Sequence, residues 1–178
     1  MNNLKNSDFK IFVLDTSSFY SGYHLSCTDS KFYISSEILN EVSCEQLNFE
    51  TSIRPLILIG RITVLDSSSK HKNIIKSIAR KSGDIFKLSN ADLSIVSLAY
   101  QLKSPLVSSD YPIQNICTLL NIPIISIGVK EINQARKWVT ICRTCGKSYS
   151  PQILECYICG NKTTRRYKNQ RSKNKNSI

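Results

Sequence analysis

Two sets of residues have the types and spacing to do chemistry. The first is Cys142-Arg-Thr-Cys145-Gly146 and Cys156-Tyr-Ile-Cys159-Gly160, with ten residues between Cys145 and Cys156. Four thiolates close a tetrahedron around Zn²⁺ and leave no open position, so this set reads as a structural metal site. The glycine after each second cysteine tolerates the positive φ that such a bend requires. Ten residues is a short separation for a four-cysteine site, so the two knuckles are expected to face each other across a tight hairpin. The second set is acidic: Asp15 and Asp110 each follow a short apolar run, Asp92 stands near a helix start, and Glu41 lies on a helix. Several carboxylates converging without basic partners repel one another unless a divalent cation neutralises them. Magnesium or manganese held in that way can activate water and stabilise the charge of an in-line phosphoryl displacement. Taken singly, any of these acids could equally be a helix cap or a solvated surface charge.

The elements that must position these residues alternate in type. Lys10-Ile-Phe-Val-Leu14 reads as a buried parallel strand that stops at a polar loop, which puts Asp15 at a strand's carboxyl end. Phe32 to Ile34 leads into Ser35-Ser36, caps for a helix with Ile38, Leu39 and Val42 on one face and Glu37, Glu41 and Glu45 at spacing four. A helix over 52–59, a strand over 61–65 and an amphipathic helix over 70–81 ended by Gly83 follow. Ser89-Asn-Ala-Asp92 resembles a capping box, with Asp92 where Glu is usual, ahead of an apolar helix through Leu102. A strand over 105–107, a helix over 112–120 and a last strand over 122–127 complete the series. Strands alternating with helices imply an α/β domain with a mainly parallel central sheet covered by helices. Ligands of such sheets collect beyond the carboxyl ends of the strands, where Asp15 and Asp110 both lie.

Charge sorts the chain into two parts. Of 178 residues, 24 are Lys or Arg and 13 are Asp or Glu, and the net charge is +11. Residues 1–135 carry 13 basic and 12 acidic side chains, whereas residues 136–178 carry 11 basic and one acidic. A field of one sign concentrated on one end marks a polyanion partner, nucleic acid or an anionic membrane surface, or a solvated tail. No apolar stretch is long enough for a signal-peptide core or a bilayer span, so the chain is expected to be soluble and intracellular. Seven cysteines with four in two tight pairs favour metal ligation over disulfides, and Cys27, Cys44 and Cys117 read as ordinary small thiols. Two histidines, His24 and His71, give little support to a Ser-His-Asp or Cys-His hydrolase, and no Gly-rich phosphate loop ending in Gly-Lys exists. Ser17, Ser18 and Ser108 beside the acids fit either turn formation or hydrogen bonding at a metal site. Tyr149, Tyr157 and Tyr167, interleaved with Arg and Lys, fit either base stacking or packing around a small zinc core.

Asp15-Thr-Ser-Ser, Glu41-Val, Leu88-Ser-Asn-Ala-Asp92-Leu-Ser-Ile-Val-Ser-Leu-Ala and Val107-Ser-Ser-Asp110-Tyr-Pro-Ile-Gln-Asn resemble the acidic motifs of PIN-domain ribonucleases. With a zinc ribbon directly after them, the arrangement over residues 10–168 resembles the Nob (Nin-one-binding) family in its compact archaeal form. The resemblance implies an endoribonuclease that matures the 3′ end of small-subunit ribosomal RNA in the cytoplasm. It implies Asp15, Glu41, Asp92 and Asp110 as the catalytic acids holding Mg²⁺ or Mn²⁺, and Cys142, Cys145, Cys156 and Cys159 as Zn²⁺ ligands. Its implied partners are pre-ribosomal small-subunit RNA and the nascent small subunit, with a KH-domain assembly factor as a further one and no membrane. Many members carry Asp just before the last acid, where this chain has Ser109. Arg143, Lys147, Arg165, Arg166 and Lys168 are the expected RNA contacts. The expected organisation is a PIN-like nuclease domain over 1–132, a zinc ribbon over 136–168 and a basic disordered tail over 169–178. Two other readings stand beside this one: a non-catalytic RNA-binding assembly factor, and a VapC-type toxin ribonuclease, although toxins of that fold usually lack the ribbon.

Overall fold

Ile-Phe-Val-Leu at 11–14 is apolar at every position, and a run of that kind is stable as a strand only where both of its faces are covered. The computed structural model, which describes residues 10–26, 29–44 and 49–169, shows that arrangement. Strand β1 (Ile11–Leu14) buries Phe12, Val13 and Leu14 in succession, and alternate side chains of a strand point to opposite faces, so both faces are packed. Four more strands join it: β2 (Lys31–Ile34), β3 (Ile62–Val64), β4 (Leu106–Ser108) and β5 (Ile124–Ser126). The order is β3-β2-β1-β4-β5 with every pairing parallel. From β1 the chain winds outward through β2 and β3, then returns to β4 on the other side. The β1/β4 pair is therefore the topological switch point, where a crevice opens beyond the strand ends.

Helices α1 (Thr16–Tyr20) and α2 (Tyr23–Ser26) lead to β2, and α3 (Ser36–Cys44) follows it. A π-helical turn (Phe49–Ile53) runs into α4 (Arg54–Leu58), so the single helix expected over 52–59 is divided. Helix α5 (Ser69–Ser82) is capped by Ser68, whose hydroxyl accepts from the His71 amide, and ends at Gly83 with φ of 82°. Helix α6 (Asn90–Leu102) is the central helix, with Leu93, Ile95, Val96, Leu98 and Ala99 all buried. Its capping box is complete, Ser89 accepting from the Asp92 amide and the Asp92 carboxylate accepting from the Ser89 amide. Helix α7 (Tyr111–Leu120) carries Pro112 in its first turn. The polar loop expected after Asp15 is helix α1, with Asp15 as its N-cap in extended geometry. The last body strand is shorter than expected, because the Ile122 amide closes the end of α7 on the Cys117 carbonyl and Pro123 has no amide to pair.

A second, antiparallel sheet with order β7-β6-β8 follows, from β6 (Arg136–Cys142), β7 (Ser148–Tyr149) and β8 (Thr163–Asn169). It lies against the end of α5. An added Cβ on Gly83 would meet Pro151 Cγ at 2.5 Å and Trp138 Cβ at 3.1 Å, so glycine here serves both the left-handed cap and the close approach. Asp84, only 1% exposed, accepts from Ser82 Oγ at 2.6 Å, from Asn115 Nδ2 at 2.6 Å and from Trp138 Nε1 at 2.8 Å. Asn115 also pairs with the backbone of Arg136 in both directions, and Arg165 donates to the Gly83 carbonyl. Two side chains of the body, Asp84 and Asn115, and the Gly83 carbonyl thus grip the second sheet. The strand reaches Asn169, the first residue assigned to the tail, and residues 170–178, Cys27 and Glu45 lie outside the described residues.

Candidate active site and metal centre

Asp15 and Asp110 end β1 and begin α7 on either side of the switch point, and the two are joined through serines. Ser108 Oγ donates to Asp15 Oδ2 at 2.7 Å and accepts from the Asp110 amide at 3.0 Å. Ser17 Oγ donates to the same Asp15 oxygen at 2.9 Å and accepts from the Ser109 amide at 3.1 Å. Asp15 is 5% exposed, and neither it nor Asp110 uses its carboxylate to cap the helix it precedes. Ser17 and Ser108 therefore serve the acid. Ser18 instead donates to the Asp15 carbonyl and belongs to the turn.

The acids feel one another. Burial raises the Asp15 carboxyl above the ordinary range against the hydrogen bonds from Ser108 and Ser17, and the charge of Asp92 raises it further. Asp110 is pushed up to about 6, first by burial and then by the charges of Asp92, Asp15 and Asp84. Glu41, half-buried on α3, accepts from Thr16 Oγ1 at 2.7 Å and so stands one residue from Asp15. Asp15, Asp92 and Asp110 are thus brought into mutual electrostatic reach, with Glu41 at the border. They are not a closed cage: among the described residues, only the four cysteines form a group of three or more whose ligand atoms all lie within 4.8 Å of one another. An open ring of repelling carboxylates, with no ion pair to any of them among the described residues, fits a hard cation that keeps part of its water shell between them.

The cysteine knuckles repeat each other. The Gly146 amide donates to the Cys142 carbonyl and the Gly160 amide to the Cys156 carbonyl, each at 2.9 Å, with φ of 71° and 68° at the two glycines. Cys142 Sγ lies 3.4 Å from Cys159 Sγ, and Cys145 Sγ 3.4 Å from Cys156 Sγ. A Zn–S bond of about 2.3 Å gives a tetrahedral edge of roughly 3.8 Å, so these thiols fit a zinc ribbon. Tyr149 packs edge-on to Tyr157 and places its hydroxyl 3.0 Å from Cys156 Sγ, which answers one of the two tyrosine alternatives in favour of packing. Of the other cysteines, Cys44 is exposed, and Cys117 is buried with its thiol pushed up by burial.

The expected RNA contacts divide. Arg143, Lys147, Arg166 and Lys168 are exposed. Arg165 is set apart from these four: half-buried, it stacks 4.2 Å over the Trp138 ring and faces the seam, because its register partner on β6 is Thr140 on the inward face. The sequence reading missed Lys137, which sits directly opposite Lys168 on the outer face. Two like charges opposed across a sheet cost stability unless an anion serves them. It also missed Asp84, whose partners lie 31 and 54 positions away and leave no local pattern.

An open parallel sheet with carboxylates gathered at its switch point is the architecture of a PIN domain, and the family model described as the PIN domain of ribonuclease matches residues 12–102. Ribonuclease VapC1 of Thermoplasma acidophilum is 28% identical over 162 residues, 91% of this chain and 81% of the relative. Endoribonuclease Nob1 of Methanocaldococcus jannaschii is 29% identical over 93% of this chain and 82% of the relative. Endoribonuclease Nob1 of Pyrococcus abyssi is 31% identical over 83% of this chain and 88% of the relative. The chain belongs to the Nob1 family of PIN-domain endoribonucleases. No helix among the described residues is long and apolar enough to cross a membrane.

Proposed function

We propose that this endoribonuclease matures the 3′ end of small-subunit ribosomal RNA on the nascent subunit in the cytoplasm, using Mg²⁺ or Mn²⁺ at the acidic mouth and Zn²⁺ in the ribbon. The observation that carries the chemistry is the Asp15–Ser108–Asp110 linkage across the β1/β4 switch point, with Asp92 in electrostatic reach. Asp15, Asp92 and Asp110 would hold the catalytic ion, with Glu41 as a further ligand or water-orienting group. When bound, that ion supplies an activated water and neutralises charge developing on the phosphoryl oxygens. Ser108 and Ser17 fix the Asp15 carboxylate in one rotamer, so its orientation is set before substrate arrives. Thr16 does the same for Glu41. Burial of Asp15 and half-burial of Asp110 keep the local dielectric low, which strengthens attraction to a cation.

On this reading residues 1–132 form the nuclease body, 136–168 the ribbon, whose last strand extends through Asn169, and the residues after it a basic tail. Arg143, Lys147, Arg166 and Lys168, with Lys137, then supply the phosphate affinity that the near-neutral body lacks. Support for the ribosomal role comes from the Nob1 relatives, and a KH-domain assembly factor is a further partner this role would involve. The test incubates purified chain in Mn²⁺ with a precursor RNA spanning the 3′ junction of small-subunit RNA. A single cut leaving a 3′-hydroxyl, abolished in Asp110→Asn, is the expected result; an Asp110→Asn protein that cuts at the parent rate overturns the assignment. Similarity to VapC1 over 91% of the chain favours one other reading, a toxin ribonuclease. Growth arrest on expression, with transfer or messenger RNA cut in preference to the junction, would establish it.

A further inference from the structure

Two hollows adjoin along the seam between the body and the ribbon sheet. One, of about 190 Å³, is lined by Lys87, Trp138 and Arg165. The other, of about 440 Å³, is lined by Lys130 and Tyr167. Tyr111, Ile132 and Arg136 line both, so the two are one continuous groove. Its volume is in the range of about 300–1,000 Å³ that suits a ligand of nucleotide size.

Three properties point to one occupant. Four cations, Lys87, Lys130, Arg136 and Arg165, line the groove against two carboxylates. Of those, Asp84 is already satisfied by three hydrogen bonds and Glu131 stands on the outer part. The ring inventory is uneven. Trp138 and Tyr167 are packed edge to face and lie under Arg165 and Arg136, whereas Tyr111 is 46% exposed and has no ring or hydrogen-bond partner among the described residues. Finally, Tyr111 directly follows Asp110, so the lining shared by the two hollows begins one residue from the acidic mouth. A cationic channel with a free aromatic face beside a phosphodiester-cutting site matches unpaired RNA, whose bases offer π-faces for stacking. A duplex keeps those faces within its own stack.

We propose that this seam groove is the track for the single-stranded RNA segment adjoining the cleaved bond, and that Tyr111 is a positioning residue that stacks on the first unpaired base beyond the acids. This rests on the endoribonuclease reading of the mouth. It also gives the ribbon a second duty: Trp138, Arg136 and Arg165 form one wall of the track, so ribbon and body share a single substrate surface.

The test uses the full zinc-loaded chain in magnesium-free buffer, a short labelled oligo-U, and the same strand annealed to its complement. Tyr111→Ala weakens binding of the single strand by about five- to a hundredfold, the worth of one stacked base, and Tyr111→Phe stays within about twofold. Neither variant moves duplex binding. Lys87→Ala lowers the salt slope of single-strand binding by about one. Emission of Trp138, the sole tryptophan, is quenched by the single strand and not by the duplex. Parent-like single-strand binding by Tyr111→Ala overturns the proposal, as does equal loss in Tyr111→Phe or equal quenching by duplex. Should Tyr111→Ala unfold, an unchanged salt slope in Lys87→Ala overturns it instead. Junction cleavage in Mn²⁺ is measured alongside: a parent that cuts while Tyr111→Ala binds normally removes the track and leaves the nuclease. A parent that binds through Tyr111 and never cuts removes the nuclease reading.

Discussion

At the scale of single residues, the acidic mouth is held at a cost to the fold. Asp110 titrates near 6 rather than at its ordinary 3.8, so between those values the folded state binds more protons than the unfolded one. Stability of the magnesium-free protein therefore falls as pH rises from about 4 to about 6, then levels. Asp110→Asn removes the half-buried charge and, with it, the repulsion from Asp92, Asp15 and Asp84. After allowance for its partial exposure this is worth about 1 kcal/mol, a rise of roughly 2–4 °C in Tm at neutral pH, while cleavage is lost. Differential scanning calorimetry in magnesium-free buffer checks the first outcome and the junction assay the second. At limiting Mn²⁺ activity should have the opposite pH slope, because proton and ion compete for the Asp110 carboxylate, and raising Mn²⁺ should move the acid limb of the pH–rate profile to lower pH. Ser108→Ala deletes the donor to Asp15 and the acceptor for the Asp110 amide. It should lower activity or metal affinity about 10- to 100-fold, and Mn²⁺ titration of the cleavage rate separates the two.

At the scale of elements, Gly83 is the point where a helix end and a sheet meet. Gly83→Ala forces both an unfavourable φ and a clash with Pro151, so it should lower stability by about 1–3 kcal/mol and loosen the seam. Urea unfolding followed through Trp138 emission measures this. Much of the architecture was readable beforehand because it is local. The runs at 11–14 and 105–107 are apolar at successive positions, the capping box lies within four residues, and each zinc knuckle carries its own glycine. What was not readable depends on distance or on weak local preference. Helix α1 is one short turn of Thr-Ser-Ser, poor helix formers, and it closes because the Ser18 amide reaches the Asp15 carbonyl. The inward turn of Arg165 follows from strand register, which only the pairing of β6 with β8 decides. Convergence of the acids was legible only as strand ends, and Asp84 not at all.

At the scale of the whole molecule, charge and metal divide the labour. On the zinc-ribbon reading, a chelator should loosen the knuckle end of the ribbon, where the four thiols converge beyond the β6–β8 ladder, and leave the α/β circular-dichroism signal of the body in place. RNA affinity should then fall, and the slope of log affinity against log salt should flatten as the ribbon's phosphate contacts disengage. A chelated chain that keeps both its affinity and its slope would separate the cationic end from RNA altogether. The Asp84 grip adds an evolutionary constraint. A body that lost the ribbon would bare a carboxylate and forfeit the indole bond from Trp138 and the Asn115–Arg136 backbone pair. A lone ribbon would turn the seam face of the Trp138 ring out to water. Gene fission or domain shuffling at this junction therefore requires compensating changes on both sides at once, and the two halves are expected to be inherited and exchanged as one unit.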